Sequence, residues 1–206
     1  MAEEKVKLNK TELKTQKDLL RQREEFLPVL ELKKQQLQQV VDAIGPQIEA
    51  LRGSIGQTLE GMREWVDLLS EKVEVSLESL YRIREVRTAS ENIAGVDVPT
   101  FEEVLFEDSA HDLFSTPPWV DYAERELRKL AAVVEQIRVL ERRRELLAEE
   151  LRETTIRVNL FEKILIPQHR DNIKRIKIYL GDQEVAAISI AKIAKRKLEA
   201  QKEGSA

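Results

Sequence analysis

The chain has no cysteine among its 206 residues, which excludes disulfides and thiolate chemistry and suits a reducing compartment. Histidine is nearly as scarce: His111 and His169 stand far apart, without the spacing of a metal site. Seven glycines, six prolines and 5% aromatics are too few for a turn-rich β protein or an aromatic-cored globule. Long hydrophobic runs are missing as well. The stretch VAAISIA (185–191) falls far short of the ~20 apolar residues that cross a bilayer, and MAEEKVKLNK at the start lacks the apolar core of a signal peptide. No direct membrane insertion is expected.

What remains is a helix-forming composition. Charged residues make up 35% and hydrophobic residues 42%, and Ala, Leu, Glu, Lys, Arg and Gln dominate. That apolar fraction is too high for a disordered polyelectrolyte and has to be buried along something long and thin. Charge is segregated. Between Glu85 and Glu126 eleven acidic residues face only Arg87 and Arg125, whereas from Arg170 to Lys202 nine basic residues face four acidic ones. An acidic middle and a basic end are either two solvated surfaces or surfaces for two different partners.

Apolar residues in the first third repeat every seven positions: Leu37, Val41, Ile44, Ile48, Leu51, Ile55, Thr58, Met62, Trp65, Leu69. Steps of four and three, sustained over several heptads, mark a coiled-coil seam rather than the face of a globular helix. Leu19, Phe26 and Leu30 extend the stripe upstream less regularly. A helix from about residue 9 to about 80 would be roughly 100 Å long and needs a partner to be stable. The partner lies later in the chain, in Leu127, Leu130, Val134, Ile137, Leu140, Leu147, Leu151, Val158, Phe161 and Leu165, interrupted by Arg144. Beyond Leu165 the phase shifts to His169, Ile173, Ile176 and Leu180, a stutter with Pro167 at its centre.

Pro167 lacks an N–H and crowds the carbonyl of Lys163, at a cost of roughly 3 kcal/mol, so a bent but continuous helix is expected there. Pro28 and Pro46 either bend or break the first stem. Gly45, Gly53, Gly56 and Gly61 weaken it by about 1 kcal/mol each relative to alanine, which points either to close approach of another backbone or to softness.

Between the stems helical spacing disappears. Residues 84–93 and 96–106 read as two strands around a turn at Ala94-Gly95, with Pro99 keeping its strand from an interior position. Ser115-Thr116-Pro117-Pro118 reads as a helix start capped by Thr116, with Trp119 and Tyr122 docking the restart. The expected fold is mainly α: a long antiparallel two-helix coiled-coil hairpin with a small β-hairpin and short-helix head in the middle of the chain. It forms a single elongated domain with an N-terminal stem over 1–82, an acidic head over 83–116 and a C-terminal stem over 117–202.

Catalytic patterns are missing. GSIG (53–56) lacks the lysine and spacing of a phosphate loop, and two isolated histidines make no Ser–His–Asp grouping. Arg142-Arg143-Arg144 lies among acidic residues and KIAKRK (192–197) has no aromatic stacking partners, so nucleic acid is disfavoured as a ligand. Neither a cofactor nor a metal is expected, and no enzymatic activity.

RVNLFEKILIP (157–167) closely resembles the signature of the D subunit of V-type and archaeal-type ATPases and ATP synthases. ENIAGVDVP (91–99), followed by Phe101, resembles the same family's central segment. The similarity spans about Lys33 to Lys197 and is weakest in LRQREEFLPVLELKKQQL (20–37), where Pro28 falls. The resemblance implies a central-stalk rotor subunit that couples ATP hydrolysis or synthesis to ion translocation. Its implied partners are the small F subunit of the rotor, the catalytic hexamer of A and B subunits, and a subunit connecting to the membrane ring. Its implied place is cytoplasmic, peripheral to the membrane within the complex. Arg157, Asn159, Glu162 and Pro167 then become candidates for shaft contacts or for locks between the stems. Lys192, Lys195, Arg196 and Lys197 become candidates for gliding contacts with the hexamer wall. A prefoldin-like holder accounts for the coiled coil equally well, but not for the two motifs.

Overall fold

The structure, a computed structural model, describes residues 6–63, 76–108 and 116–203. Helix α1 covers Lys10–Met62, α2 is a single turn at Leu77–Leu80, strands β1 and β2 cover Ile83–Ile93 and Val96–Phe106, and α3 covers Trp119–Leu160. A π-helical turn, Phe161–Leu165, leads into α4, Ile166–Glu203. The chain divides into a terminal unit, Met1–Leu32 with Thr155–Ala206, and a central unit, Lys33–Thr154.

α1 runs through both Pro28 and Pro46 without a break. Both prolines lie on the exposed face, where water can satisfy the carbonyls that each ring displaces. The glycines of α1 mark no close approach within the chain, since a Cβ at Gly45, Gly53, Gly56 or Gly61 would meet no heavy atom within 4 Å. Softness and approach by the backbone of another subunit are the readings left. The expected seam residues Trp65 and Leu69, and the continuation of this stem toward residue 80, lie outside the described residues.

In the central unit the two helices run antiparallel, because Lys33 pairs with Glu150 (2.6 Å) while Arg52, farther along α1, pairs with the earlier Glu141 (3.0 Å). Leu37, Ile44 and Ile48 of α1 form the core with Ile137 and Leu147 of α3, in the heptad phase read from the sequence. Val134, expected in that seam, is exposed, and so is Arg144, which interrupts it. Thr154 is fully buried instead and lends its hydroxyl to Glu150 at 3.5 Å.

The hairpin forms as its alternation and turn residues dictate. Ala94 and Gly95 both take positive φ, 50° and 82°, the two-residue geometry whose twist matches antiparallel strands. The side chain of Asn92 secures the turn, accepting from the Gly95 amide (3.1 Å) and donating to Asp97 (2.6 Å). Pro99 pairs with Ser90 in a two-stranded sheet, where neither strand is interior. The hairpin is not held off the helices: Val98 is 1% exposed within the α1–α3 core, and Ile93, Ala94 and Val96 pack against it.

α3 starts at Trp119, with the Val120 amide on the carbonyl of Pro117 (3.0 Å). Val120 and Ala123 are the buried anchors of this start, and Tyr122, expected to dock, is exposed.

Candidate functional site

Residues 157–167 contain the π-turn, Phe161–Leu165. The Ile166 amide reaches back five residues to the Phe161 carbonyl, so one residue more than a heptad allows is fitted between Val158 and the next buried position. That position is Ile166, with Leu165 only half-buried, and the seam continues through His169, Ile173 and Ile176. The phase shift expected beyond Leu165 therefore falls earlier, between Val158 and Ile166, and is a single inserted residue rather than a four-residue stutter. The wider turn also loosens the backbone just before Pro167, whose ring would otherwise press on the Lys163 carbonyl. Pro167 itself is exposed and the helix continues through it.

Of the other candidates in this segment, Arg157 and Glu162 are exposed and Asn159 is half-buried. The polar layer between the two helices of the terminal unit involves a different set. His169 (7% exposed), Gln16 and Asn172 (8% each) are buried together. Nδ1 of His169 donates to Oε1 of Gln16 at 2.5 Å, Nδ2 of Asn172 donates to the same oxygen at 3.5 Å, and Nε2 of Gln16 donates to Glu12 at 2.8 Å. Nη1 of Arg23 donates to Nε2 of His169, and its guanidinium lies 5.9 Å from the centroid of the Phe161 ring. Arginine has no lone pair to offer, so Nε2 accepts and the proton sits on Nδ1: the layer is built around neutral imidazole. Burial, and then the charge of Arg23, hold the His169 pKa below its ordinary value. Alongside, Arg170 pairs with Glu24 at 2.7 Å.

Apolar periodicity does not reveal Gln16 and Arg23, because both are polar. Yet they stand 21 and 14 residues before Leu37, whole multiples of seven on the same seam. Leu19 is only half-buried and Phe26 is 52% exposed, so the upstream stripe read from those two residues is corrected.

Two arginines of α3 tie the hairpin down. Arg143 donates to Glu91 (2.9 Å) and Thr100 (3.4 Å). Arg128 donates to the carbonyls of Leu80 (2.9 Å) and Glu107 (2.8 Å), with its guanidinium 5.3 Å from the centroid of the Phe106 ring.

At the far end of α4 every residue from Gly181 to Leu198 is exposed. Val185, Ile188, Ile190, Ile193 and Leu198 are 56–68% exposed there, interleaved with Lys192, Lys195, Arg196 and Lys197. Such a stretch is a contiguous exposed apolar surface on this helix. Among the described residues no three His, Asp or Glu side chains gather as a metal site, and no helix is long and apolar enough to cross a membrane.

A family model described as the D subunit of ATP synthase matches residues 12–196. The chain is 41% identical over 194 residues to the V-type ATP synthase D subunit of Borreliella burgdorferi, covering 94% of this chain and 95% of that protein. It is 34% identical over 206 residues to the protein of the same name from Chlamydia caviae, covering 97% of each, and 34% identical to that of Chlamydia pneumoniae over 96% and 95%.

Proposed function

This chain belongs to the family of ATP synthase D subunits, and from that membership we propose the following account of its work. It is a central-stalk subunit of a V-type ATP synthase, coupling ATP turnover to ion translocation by rotation. It works within a complex of ATPase subunits. The chain transmits force and carries out no chemistry of its own. Its partners are the small F subunit of the rotor, the hexamer of A and B subunits, and a subunit leading to the membrane ring, with the chain on the cytoplasmic side.

The observation that carries the mechanical reading is the bare stretch Gly181–Leu198 of α4, apolar and basic together. Inserted into a ring of subunits, its apolar side chains have surface to bury, and Lys192, Lys195, Arg196 and Lys197 attract the wall without fixing one orientation. Two antiparallel helices with different side chains give an asymmetric cross-section. Each catalytic pair therefore meets a different face as the shaft turns, and coupling arises through differential contacts. Arg157 and Asn159 precede the π-turn and Glu162 lies within it, and the three serve either as shaft contacts or to lock the stems together.

Affinity purification of the tagged chain tests this. Recovery of the A and B subunits with the small F subunit supports the rotor reading. Recovery of varied unfolded clients without them supports a prefoldin-like holder instead, an alternative that explains the coiled coil but not the family membership.

A further inference from the structure

We propose that the Gln16–Arg23–His169 layer is a proton-sensitive clasp: it holds the two helices of the terminal unit in register while His169 is neutral and opens when His169 takes up a proton. The shaft reading gives this clasp its purpose, while the layer alone determines how it opens.

Each ring nitrogen of His169 has one partner, and the partners are of opposite kind. Gln16 Oε1 accepts from Nδ1 at 2.5 Å, and Arg23 Nη1 donates to Nε2. Protonation at Nε2 places an N–H against an N–H and a second positive charge beside Arg23, inside a layer where His169 is 7% exposed. The contact cannot survive that exchange. Either the imidazole or the guanidinium has to leave, and the seam beside the π-turn loses its polar layer.

The surrounding charges do not offset the new one. On α1, Glu12 is bound to Gln16 Nε2 at 2.8 Å and reaches the imidazole only through that amide. Glu24 is paired with Arg170 at 2.7 Å. On α4, Asn172 is neutral and shares the Gln16 oxygen at 3.5 Å. The π-turn offers the Phe161 ring, on which Arg23 already lies, while its own charges on Glu162 and Lys163 are exposed. A polar layer at seam positions commonly fixes which residues of two helices face each other. Here that function depends on one proton, and burial with the Arg23 charge keeps the proton off near neutrality.

The test uses the full chain, whose lack of native cysteine makes labelling clean. Spin labels at Asp18→Cys and Lys177→Cys report the separation of the two helices, at about pH 8 and again at about pH 4.5, well below the ordinary histidine value because burial and Arg23 hold that of His169 down. One narrow distance is expected at the higher pH, and its loss into a broad, longer distribution at the lower. His169→Leu, which fills the seam without a titrating group, keeps the narrow distance at both. A wild-type distribution that does not change with pH, or a His169→Leu chain that changes as the wild type does, overturns the clasp.

The midpoint of His169 itself is read by nuclear magnetic resonance. Arg23→Gln raises it relative to wild type if Arg23 opposes the proton, and an unmoved midpoint contradicts the assignment. Co-purification with the A and B subunits is scored separately. Loss of assembly with an intact pH response overturns the shaft reading and leaves the clasp standing; assembly with no pH response does the reverse.

Discussion

Nε2 of His169 accepts a hydrogen bond from Arg23, a residue 146 positions away in sequence, so a base and a permanent cation meet in the seam of the terminal unit. The contact exists only for neutral imidazole. It makes the packing of the seam just beyond the π-turn depend on charge.

Stability should therefore follow pH in one direction. His169 binds a proton less readily folded than unfolded. Its contribution is complete above the ordinary histidine value of about 6.5 and declines as pH falls through that value toward the lower folded one. Urea titrations of the full chain are expected to give a falling midpoint on acidification, and a smaller fall for His169→Leu. Equal falls in both contradict the linkage.

Arg128 holds the base of the hairpin through the carbonyls of Leu80 and Glu107 and its stacking on Phe106. Arg128→Met keeps much of the stem and removes the two hydrogen bonds to carbonyls together with the ion pair to Glu124 (2.6 Å). A loss of roughly 1.5–3 kcal/mol is expected, the range for hydrogen bonds to a charged group. Hydrogen exchange should quicken in β1 and β2 before it does in α4.

Gly53 and Gly56 are exposed helical positions where a Cβ meets nothing within 4 Å. Gly53→Ala and Gly56→Ala are each expected to stabilise the isolated chain by up to about 1 kcal/mol, the propensity difference between the two residues. Thermal melts check this. A destabilised variant contradicts the open surface seen at both positions.

Replacing Lys192, Lys195, Arg196 and Lys197 together by glutamine should leave helicity unchanged by circular dichroism, because all four are exposed. ATP-driven ion transport by the assembled complex is expected to fall severalfold, and to fall less as salt screens the native attraction. Unchanged transport contradicts a role for these charges at the hexamer wall.

The heptad steps from Leu37 to Met62 placed the core of α1, because seven-residue spacing admits few other structures. Ala94-Gly95 marked the turn to the residue, since a two-residue hairpin turn needs positive φ at both positions. Three things were not legible. The seam upstream of Leu37 runs through Gln16 and Arg23, which carry no hydrophobic signal. The phase shift near Pro167 was visible, but its form, a π-turn that moves burial from Leu165 to Ile166, depends on backbone bonding rather than on side-chain pattern. Val98 reaches the helical core, which no local pattern announces, because the strand's alternation says which residues face inward and not against what. The candidate residues Lys192, Lys195, Arg196 and Lys197 on α4 are exposed.

The central claim is rotation, and one measurement addresses it. With the catalytic hexamer fixed to a surface and a bead attached through Ser90→Cys on the exposed side of the hairpin, the bead's angle is followed as ATP is added. The account predicts stepwise turning in one direction that stops when ATP is exhausted. A bead that stays still while the same complexes hydrolyse ATP at their normal rate contradicts it.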